Sequence, residues 1–262
     1  MQTYPYSISD YSRKAYMRKK HAFSGVKNLT VVTPSYWLKG LVKQSMLKDY
    51  PVEVIPNGIE LKNFNETANG KAFRKKYAIQ DKFMVLGVAN VWEKRKGLKY
   101  FVELAERLKN MDKNTVLNHE NTVIVLVGVG KKEKKNLPHN IIALERTNGA
   151  KELAAIYQAA DVYVNATLED NFPTTNLEAL ACGTPVVTFA TGGSVESVDE
   201  TCGRIVPQKD MQALKAAVIE LCDNVENMRA ACRKRALHYN KYDRFGEYLN
   251  LYEESIDHYN DL

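Results

Sequence analysis

Long hydrophobic runs are missing from this sequence. The longest, residues 123–130, falls far short of the ~20 apolar residues a helix needs to cross a bilayer. The opening Met1-Gln-Thr-Tyr-Pro has no positive cap followed by an apolar stretch, so no secretory leader is expected and the location reads as cytoplasmic. Cysteine is scarce. Its four copies, Cys182, Cys202, Cys222 and Cys232, form no C-x-x-C pair and have no paired histidines nearby. That spacing disfavours zinc and a thioredoxin-like dithiol, and reduced, mostly structural thiols are expected. The sequons at Asn28, Asn65 and Asn165 carry no meaning without secretion. Internal repeats and low-complexity stretches are also lacking.

What is present is an ordinary globular balance. The chain has 262 residues, 45% apolar and 26% charged, which excludes a disordered tail, a collagen-like fibre and a disulfide-stapled miniprotein. Its length suits one large domain or two small ones. The net charge of +6 is a mild excess that fits anionic partners such as nucleotides, phosphates or an acidic membrane face. Basic residues cluster at Arg13, Lys14, Arg18, Lys19 and Lys20, and again at Lys131, Lys132, Lys134 and Lys135. Both runs read first as solvated helix faces or loops. No RNA-recognition signature or interleaved aromatic platform accompanies them, so nucleic acid is not expected.

Short β-branched runs alternate with helical patterns from residue 28 onward. Strands are predicted at 29–32, 52–55, 83–88, 123–127, 141–144, 162–164, 185–188 and 203–206. Helices are predicted at 36–47, 98–109, 152–159, 176–181 and 211–224, with helical pattern also filling 225–239 and 245–258. This alternation predicts an α/β fold: a parallel sheet with helices on both faces and ligands at the carboxyl ends of the strands. A boundary is expected near 56–80, where Pro56-Asn-Gly58 signals a turn and 64–70 is polar without periodicity. Residues 81–225 read as one complete α/β domain, whereas 1–55 holds a helix-like stretch and a single strand–helix–strand unit.

Three loops follow strands and open helices. The first, residues 88–97, places Arg95 and Lys96 just before a helix. Cations there oppose the helix dipole, but together with free backbone N–H groups they suit a phosphate; a solvated Lys-Arg-Lys loop is the plainer alternative. In the second, Pro173 supplies a preset φ near a helix start, and Asn171, Thr174 and Thr175 are candidates to cap it. Free N–H groups at that start suit a diphosphate. Asp170 lies on the loop and Glu178 about one turn into the helix, an offset that aims two carboxylates at sugar hydroxyls. The same spacing equally fits a capping aspartate and a surface glutamate. In the third, residues 191–196, Gly192 and Gly193 let backbone approach a ligand, or simply make a tight turn.

In order along the chain, Val31-Val-Thr-Pro-Ser-Tyr-Trp-Leu38, Val54-Ile-Pro-Asn-Gly-Ile59, Leu126-Val-Gly-Val-Gly130, Ala154-Ala-Ile-Tyr-Gln-Ala-Ala-Asp161 and Glu178-Ala-Leu-Ala-Cys-Gly-Thr-Pro-Val-Val187 resemble one family. It is the GT-B fold glycosyltransferases of family 4, glycosyl transferases group 1, and the resemblance runs from about residue 28 to 252. It implies a parallel-sheet Rossmann-like domain of the GT-B C-terminal type plus a partial second Rossmann-like domain. Residues 1–58 would be the remnant of an acceptor-side N-terminal domain, 59–240 the nucleotide-sugar donor domain, and 241–262 a C-terminal helix packing back toward the N-terminal part.

The resemblance also implies site roles. Lys96 falls on a lysine that holds the leaving diphosphate, while Asn90 stands where its partner arginine belongs, with Arg95 as the candidate replacement. Asp170-x7-Glu178 takes the place of a paired-glutamate motif. Glu178 would bind ribose, while Asp170 and the loop through Asn171, Phe172, Pro173, Thr174 and Thr175 would approach donor sugar and phosphate. Arg146 and Thr147 lie where the base is held, and Gly192 and Gly193 would line the donor. The implied reaction is glycosyl transfer with retention, in polysaccharide or glycolipid assembly at the cell surface. Its donor is a UDP- or GDP-linked sugar and its acceptor a glycan or a lipid-linked one. No cofactor or metal is implied, in keeping with the lack of a D-x-D motif, and peripheral association with the inner membrane face is an expectation. Only the last part of the N-terminal domain has a counterpart, and His21 is isolated. The resemblance therefore also implies a truncated enzyme, with a non-catalytic nucleotide-sugar binding module as the alternative.

Overall fold

The computed structural model describes residues 10–112 and 115–260, so residues 1–5, read above for a leader, lie outside the described residues. Helix α1 (Ser12–Phe23) comes first and buries no side chain. Strand β1 (Val31–Thr33), helix α2 (Tyr36–Val42) and strand β2 (Val52–Val54) form a small unit, with Val31 opposite Val52 in a two-stranded parallel ladder. Helix α2 stops five residues short of its predicted end. After Val42 the backbone tightens, with Gln44 and Ser45 donating to carbonyls three residues back, and the Ser45 hydroxyl takes the Val42 carbonyl as well.

Helix α3 (Gly70–Lys76) then leads into the main domain. Strand β3 (Phe83–Val88), helix α4 (Leu98–Lys109), strand β4 (Thr122–Val127), the single turn α5 (Lys131–Lys134), strand β5 (Ile141–Leu144) and helix α6 (Ala150–Ala159) follow. Strand β6 (Val162–Asn165), helix α7 (Thr174–Ala181) and strands β7 (Val186–Phe189) and β8 (Gly203–Val206) complete the sheet. Helices α8 (Met211–Cys222), α9 (Val225–Leu237) and α10 (Lys241–Asn260) close the chain.

The six main strands are all parallel, in the order β5-β4-β3-β6-β7-β8. The chain builds outward from β3 to one edge, then returns to β6 and builds to the other. Between β3 and β6 the order reverses, the position at which sheets of this kind take ligands at the carboxyl ends of their strands. Burial explains the strand sequences: every residue of β4, Thr-Val-Ile-Val-Leu-Val, is buried, as a strand covered on both faces requires. Helix α4 sets Tyr100, Phe101, Leu104, Ala105 and Leu108 on one buried stripe.

The region of the expected boundary near 56–80 contains helix α3. The Asn69 side chain caps α3 by accepting from the Ala72 N–H, and Phe73 is buried. Arg74 fastens the helix to the sheet, donating to the carbonyls of Ala159 and Lys82 and pairing with Asp161 at 2.5 Å. The segment therefore belongs to the main domain. Helix α10 is anchored at its first turn, where the Lys241 N–H donates to the Ile59 carbonyl and its ammonium pairs with Glu60. Further along the helix Phe245, Leu249, Tyr252 and Ile256 are exposed. Among the described residues, no helix is long and apolar enough to cross a membrane.

Candidate functional site

The reversal point sets the site. The loop after β3 ends in a turn of tight helix over Lys94–Lys96, and Gly97 then adopts a left-handed φ of 77° before α4 begins. A Cβ at Gly97 would overlap the Ala166 carbonyl oxygen, so glycine lets this loop press against the one after β6. Two bonds stitch the loops together: the Leu168 N–H donates to the Arg95 carbonyl at 2.7 Å, and the Thr167 hydroxyl reaches the same carbonyl at 3.2 Å.

Lys96 and Asp170 meet across this seam. The ammonium Nζ lies 2.7 Å from Asp170 Oδ2, and the two side chains are only 25% and 18% exposed. Pro173 occupies the capping position of α7, one residue earlier than a first-turn proline, and Thr174 opens the helix. The predicted side-chain caps are not formed: Pro173 takes the capping position, and among the described residues α7 has no side-chain cap. No protein acceptor takes the N–H of Thr174 or Thr175 among the described residues. An uncapped helix start, on a loop that Asp170 ties to a lysine, suits an anion.

Glu178 lies one turn deeper, where its Oε2 accepts from the Tyr157 hydroxyl at 3.0 Å. Burial pushes its carboxyl above the ordinary range, and the tyrosine hydroxyl offsets part of that rise. Tyr157 is fully buried, packing edge-on against Tyr163 and Phe64. Glu178 is thus half-buried and held by a hydroxyl, which sets it apart from a fully exposed surface glutamate.

The remaining predicted residues divide. The Arg95 guanidinium bonds Glu93 Oε2 at 3.0 Å and reaches the Glu169 carbonyl at 3.5 Å, so it is engaged along the loop surface. Asn90 is exposed at the end of β3. Arg146 is exposed and Thr147 half-buried on the loop after β5, at the same carboxyl edge but at the outer strand. Phe172 is buried, with its carbonyl accepting from Asn57 Nδ2 at 3.2 Å and its ring 5.6 Å from that of Tyr239. Gly192 and Gly193 press against protein: a Cβ at either would overlap the Asp170 or the Asn171 carbonyl oxygen, respectively. Their lack of side chains braces the Asp170 loop.

Several site-forming residues were not legible in the sequence. Asn176, fully buried, accepts from Asn165 Nδ2 at 2.8 Å and donates to the Ser194 carbonyl and the Ser197 hydroxyl, both at 3.2 Å. This network ties the end of β6, the first turn of α7 and the segment Gly192–Ser197 into one support. Trp92 fixes the loop after β3 through a 3.0 Å bond to the Val127 carbonyl. A buried-polar Asn in a helix start was the available signal for Asn176; Glu196, described below, gave none. All four cysteines are free, and burial raises the Cys182 thiol to about 12 and Cys202 to about 11. No group of three or more His, Cys, Asp or Glu side chains converges as a metal-ligand set among the described residues.

The strand order, reversing between β3 and β6, is that of a Rossmann-like α/β domain of the GT-B type. The sequence pattern of "Glycosyl transferases group 1" matches residues 69–239, and the chain belongs to that family. It is 26% identical over 196 residues to D-inositol 3-phosphate glycosyltransferase of Paenarthrobacter aurescens, covering 71% of this chain and 47% of that protein. It is 30% identical over 166 residues to processive diacylglycerol alpha-glucosyltransferase of Acholeplasma laidlawii, covering 62% and 48%. Against UDP-Gal:alpha-D-GlcNAc-diphosphoundecaprenol alpha-1,3-galactosyltransferase of Escherichia coli it is 24% identical, covering 82% and 57%. The chain thus spans about half the length of these relatives. Sucrose-phosphate synthase from Thermosynechococcus elongatus shares the fold, with a TM-score of 0.78 at 21% identity over 96% of this chain and 64% of that one. So does Anabaena Alr3699/HepE, crystallised with UDP-glucose, with a TM-score of 0.73 at 15% identity over 93% and 68%.

Proposed function

We propose that the crevice beside Pro173 binds a nucleoside-diphosphate sugar and that the chain carries the donor half of a retaining glycosyltransferase. The observation that carries this reading is the Lys96–Asp170 ion pair at the reversal point, on the loop that runs into the uncapped start of α7. A diphosphate placed there would take the free N–H groups of Thr174 and Thr175 and draw Lys96 from Asp170. Glu178, already aligned by Tyr157, is placed one turn away to accept from ribose hydroxyls. Arg146 and Thr147, at the β5 end of the same edge, are the candidates for the base, the uracil of UDP or the guanine of GDP.

In the proposed transfer the bond from the sugar's anomeric carbon to the diphosphate oxygen breaks. The acceptor oxygen bonds that carbon on the same face, and its proton passes to the departing phosphate. Lys96 and the α7 start offset charge building on the leaving group, with no metal required. Retention draws support from the alpha linkages in the names of the A. laidlawii and E. coli relatives, because common UDP-hexoses are themselves α-glycosyl phosphates. Those names, with diacylglycerol and diphosphoundecaprenol as acceptors, also support a lipid-linked or glycan acceptor in surface polysaccharide or glycolipid assembly. Helix α1 supports contact with an anionic inner membrane face: Arg13, Lys14, Arg18, Lys19 and Lys20 are exposed beside exposed Tyr16, Met17 and Phe23, without an acidic residue. Because β1 and β2 make only a two-stranded ladder among the described residues, transfer is proposed to need a fuller acceptor-side unit, and the chain alone to bind donor without turnover.

Thermal denaturation with a panel of nucleoside diphosphates tests the reading. At a hundredfold excess over Kd a ligand adds about 2.7 kcal/mol, or very roughly 5–10 °C for a chain of this size. UDP or GDP is expected to give such a rise and the matching monophosphate less. No response to any nucleoside diphosphate contradicts it. Adding an acceptor-side partner unit with donor and acceptor, and assigning the anomeric configuration of the product, tests turnover and retention.

A further inference from the structure

The segment Gly192–Ser197 touches two parts of the molecule at once. On one side Gly193 donates to the Asp170 carbonyl at 3.3 Å, and a Cβ there would overlap the Asn171 carbonyl. On the other, that same added Cβ would lie 2.7 Å from Ser35 Cβ, at the start of α2. Three residues on, the Glu196 carboxylate accepts from the first two amides of α2, Tyr36 N–H at 2.9 Å and Trp37 N–H at 2.8 Å. Among the described residues these two amides are the partners of its carboxylate. Ser35 Oγ takes the next amide, Leu38, at 3.1 Å, so the helix start is capped partly by its own chain and partly by a residue about 160 positions away.

The backbone of Glu196 is also held. Its carbonyl accepts from Arg235 Nη2 at 2.7 Å and from the Tyr239 hydroxyl at 3.2 Å. The Tyr239 ring packs on Phe172 of the donor loop. Glu196 therefore joins, through short contacts, the loop carrying Asp170 and the only helix between β1 and β2.

We propose that Glu196 is a positioning residue that couples the donor crevice to the N-terminal unit, its carboxylate clamping the α2 start to the segment that braces Asp170 and Asn171. A diphosphate in the crevice fixes the Asp170–Pro173 loop. That loop fixes Gly192 and Gly193, and the carboxylate carries the constraint to Tyr36 and Trp37. Linkage makes the effect reciprocal: loosening α2 weakens nucleotide binding by the same factor. The inference rests on the donor reading above.

Amide hydrogen exchange at Tyr36 and Trp37, with and without saturating UDP or GDP, tests it on the whole chain. In the unaltered protein the nucleotide that raises the melting temperature is expected to slow both amides at least fivefold. In Glu196→Ala the amides exchange faster, the nucleotide no longer slows them, and its Kd rises about fivefold. Glu196→Gln keeps one acceptor, guards against a variant that fails to fold, and is expected to show an intermediate response. Nucleotide-dependent slowing that survives in Glu196→Ala, or is absent in an unaltered protein whose melting temperature does rise, overturns the coupling and leaves the donor site standing. No rise with either nucleotide removes the donor reading and the coupling with it.

Discussion

Lys96 and Asp170, 74 residues apart, form a 2.7 Å ion pair across the seam between the two central strands of a six-stranded parallel sheet. The pair holds the lysine where, on the proposed reading, a phosphate would be its counter-charge. It makes the two residues opposite in their expected effect on nucleotide binding.

Lys96→Ala removes a charge-assisted contact of about 1.5–3 kcal/mol, so UDP or GDP affinity is expected to fall roughly ten- to a hundredfold. Asp170→Asn frees the lysine from its protein partner and is expected to tighten nucleoside diphosphate binding several-fold while reducing transfer. Calorimetric titration of both variants checks this. Equal losses in both would mean that the carboxylate itself binds the nucleotide.

Glu178 is expected to oppose stability at neutral pH. Its carboxyl titrates above the unfolded value of about 4.5, so the fold binds its proton more tightly than the unfolded chain does. The stabilising protonated form is fully present below that value and is lost as pH rises through the folded pKa. Glu178→Gln should therefore melt higher than the parent at pH 7, by a few degrees, with a smaller gap at pH 4, and yet bind nucleotide more weakly. A gap that does not change with pH contradicts the assignment.

Asn176→Ala leaves Asn165, Ser194 and Ser197 without their shared partner. Stability is expected to fall by about 1–3 kcal/mol, or very roughly 2–10 °C. Nucleotide affinity should fall too, because the start of α7 loses its support. Thermal melts with and without UDP check both effects, and a pure stability loss with unchanged affinity would make the network structural only.

For helix α1, replacing Arg18, Lys19 and Lys20 by glutamine is expected to weaken binding to vesicles containing phosphatidylglycerol roughly a hundredfold, at about 1 kcal/mol per charge. Sedimentation of neutral phosphatidylcholine vesicles gives the baseline. Equal binding of parent and variant to anionic vesicles would remove the membrane assignment.

Much of the fold was legible because periodicity reports burial. All eight predicted strands exist, within a residue or two at each end, because runs such as 123–127 admit no other placement. Helix α3 was missed because its apolar face is little more than Phe73 and its hold on the sheet is the Arg74–Asp161 pair, which local spacing does not reveal. At the site, the loops carrying Lys96, Asp170 and Pro173 stood out because each follows a strand and opens a helix. Glu196 and Asn176 did not, since their roles depend on partners brought close only by the chain's return between β3 and β6. Gly192 and Gly193 were legible as close approaches, but the sequence could not tell whether ligand or loop backbone lies against them.

The most direct test is calorimetric titration of UDP and of GDP into the unaltered chain. The account expects one-to-one binding of at least one of them, lost in large part on Lys96→Ala. Absence of binding by both at millimolar concentration, or binding that Lys96→Ala leaves intact, would contradict it.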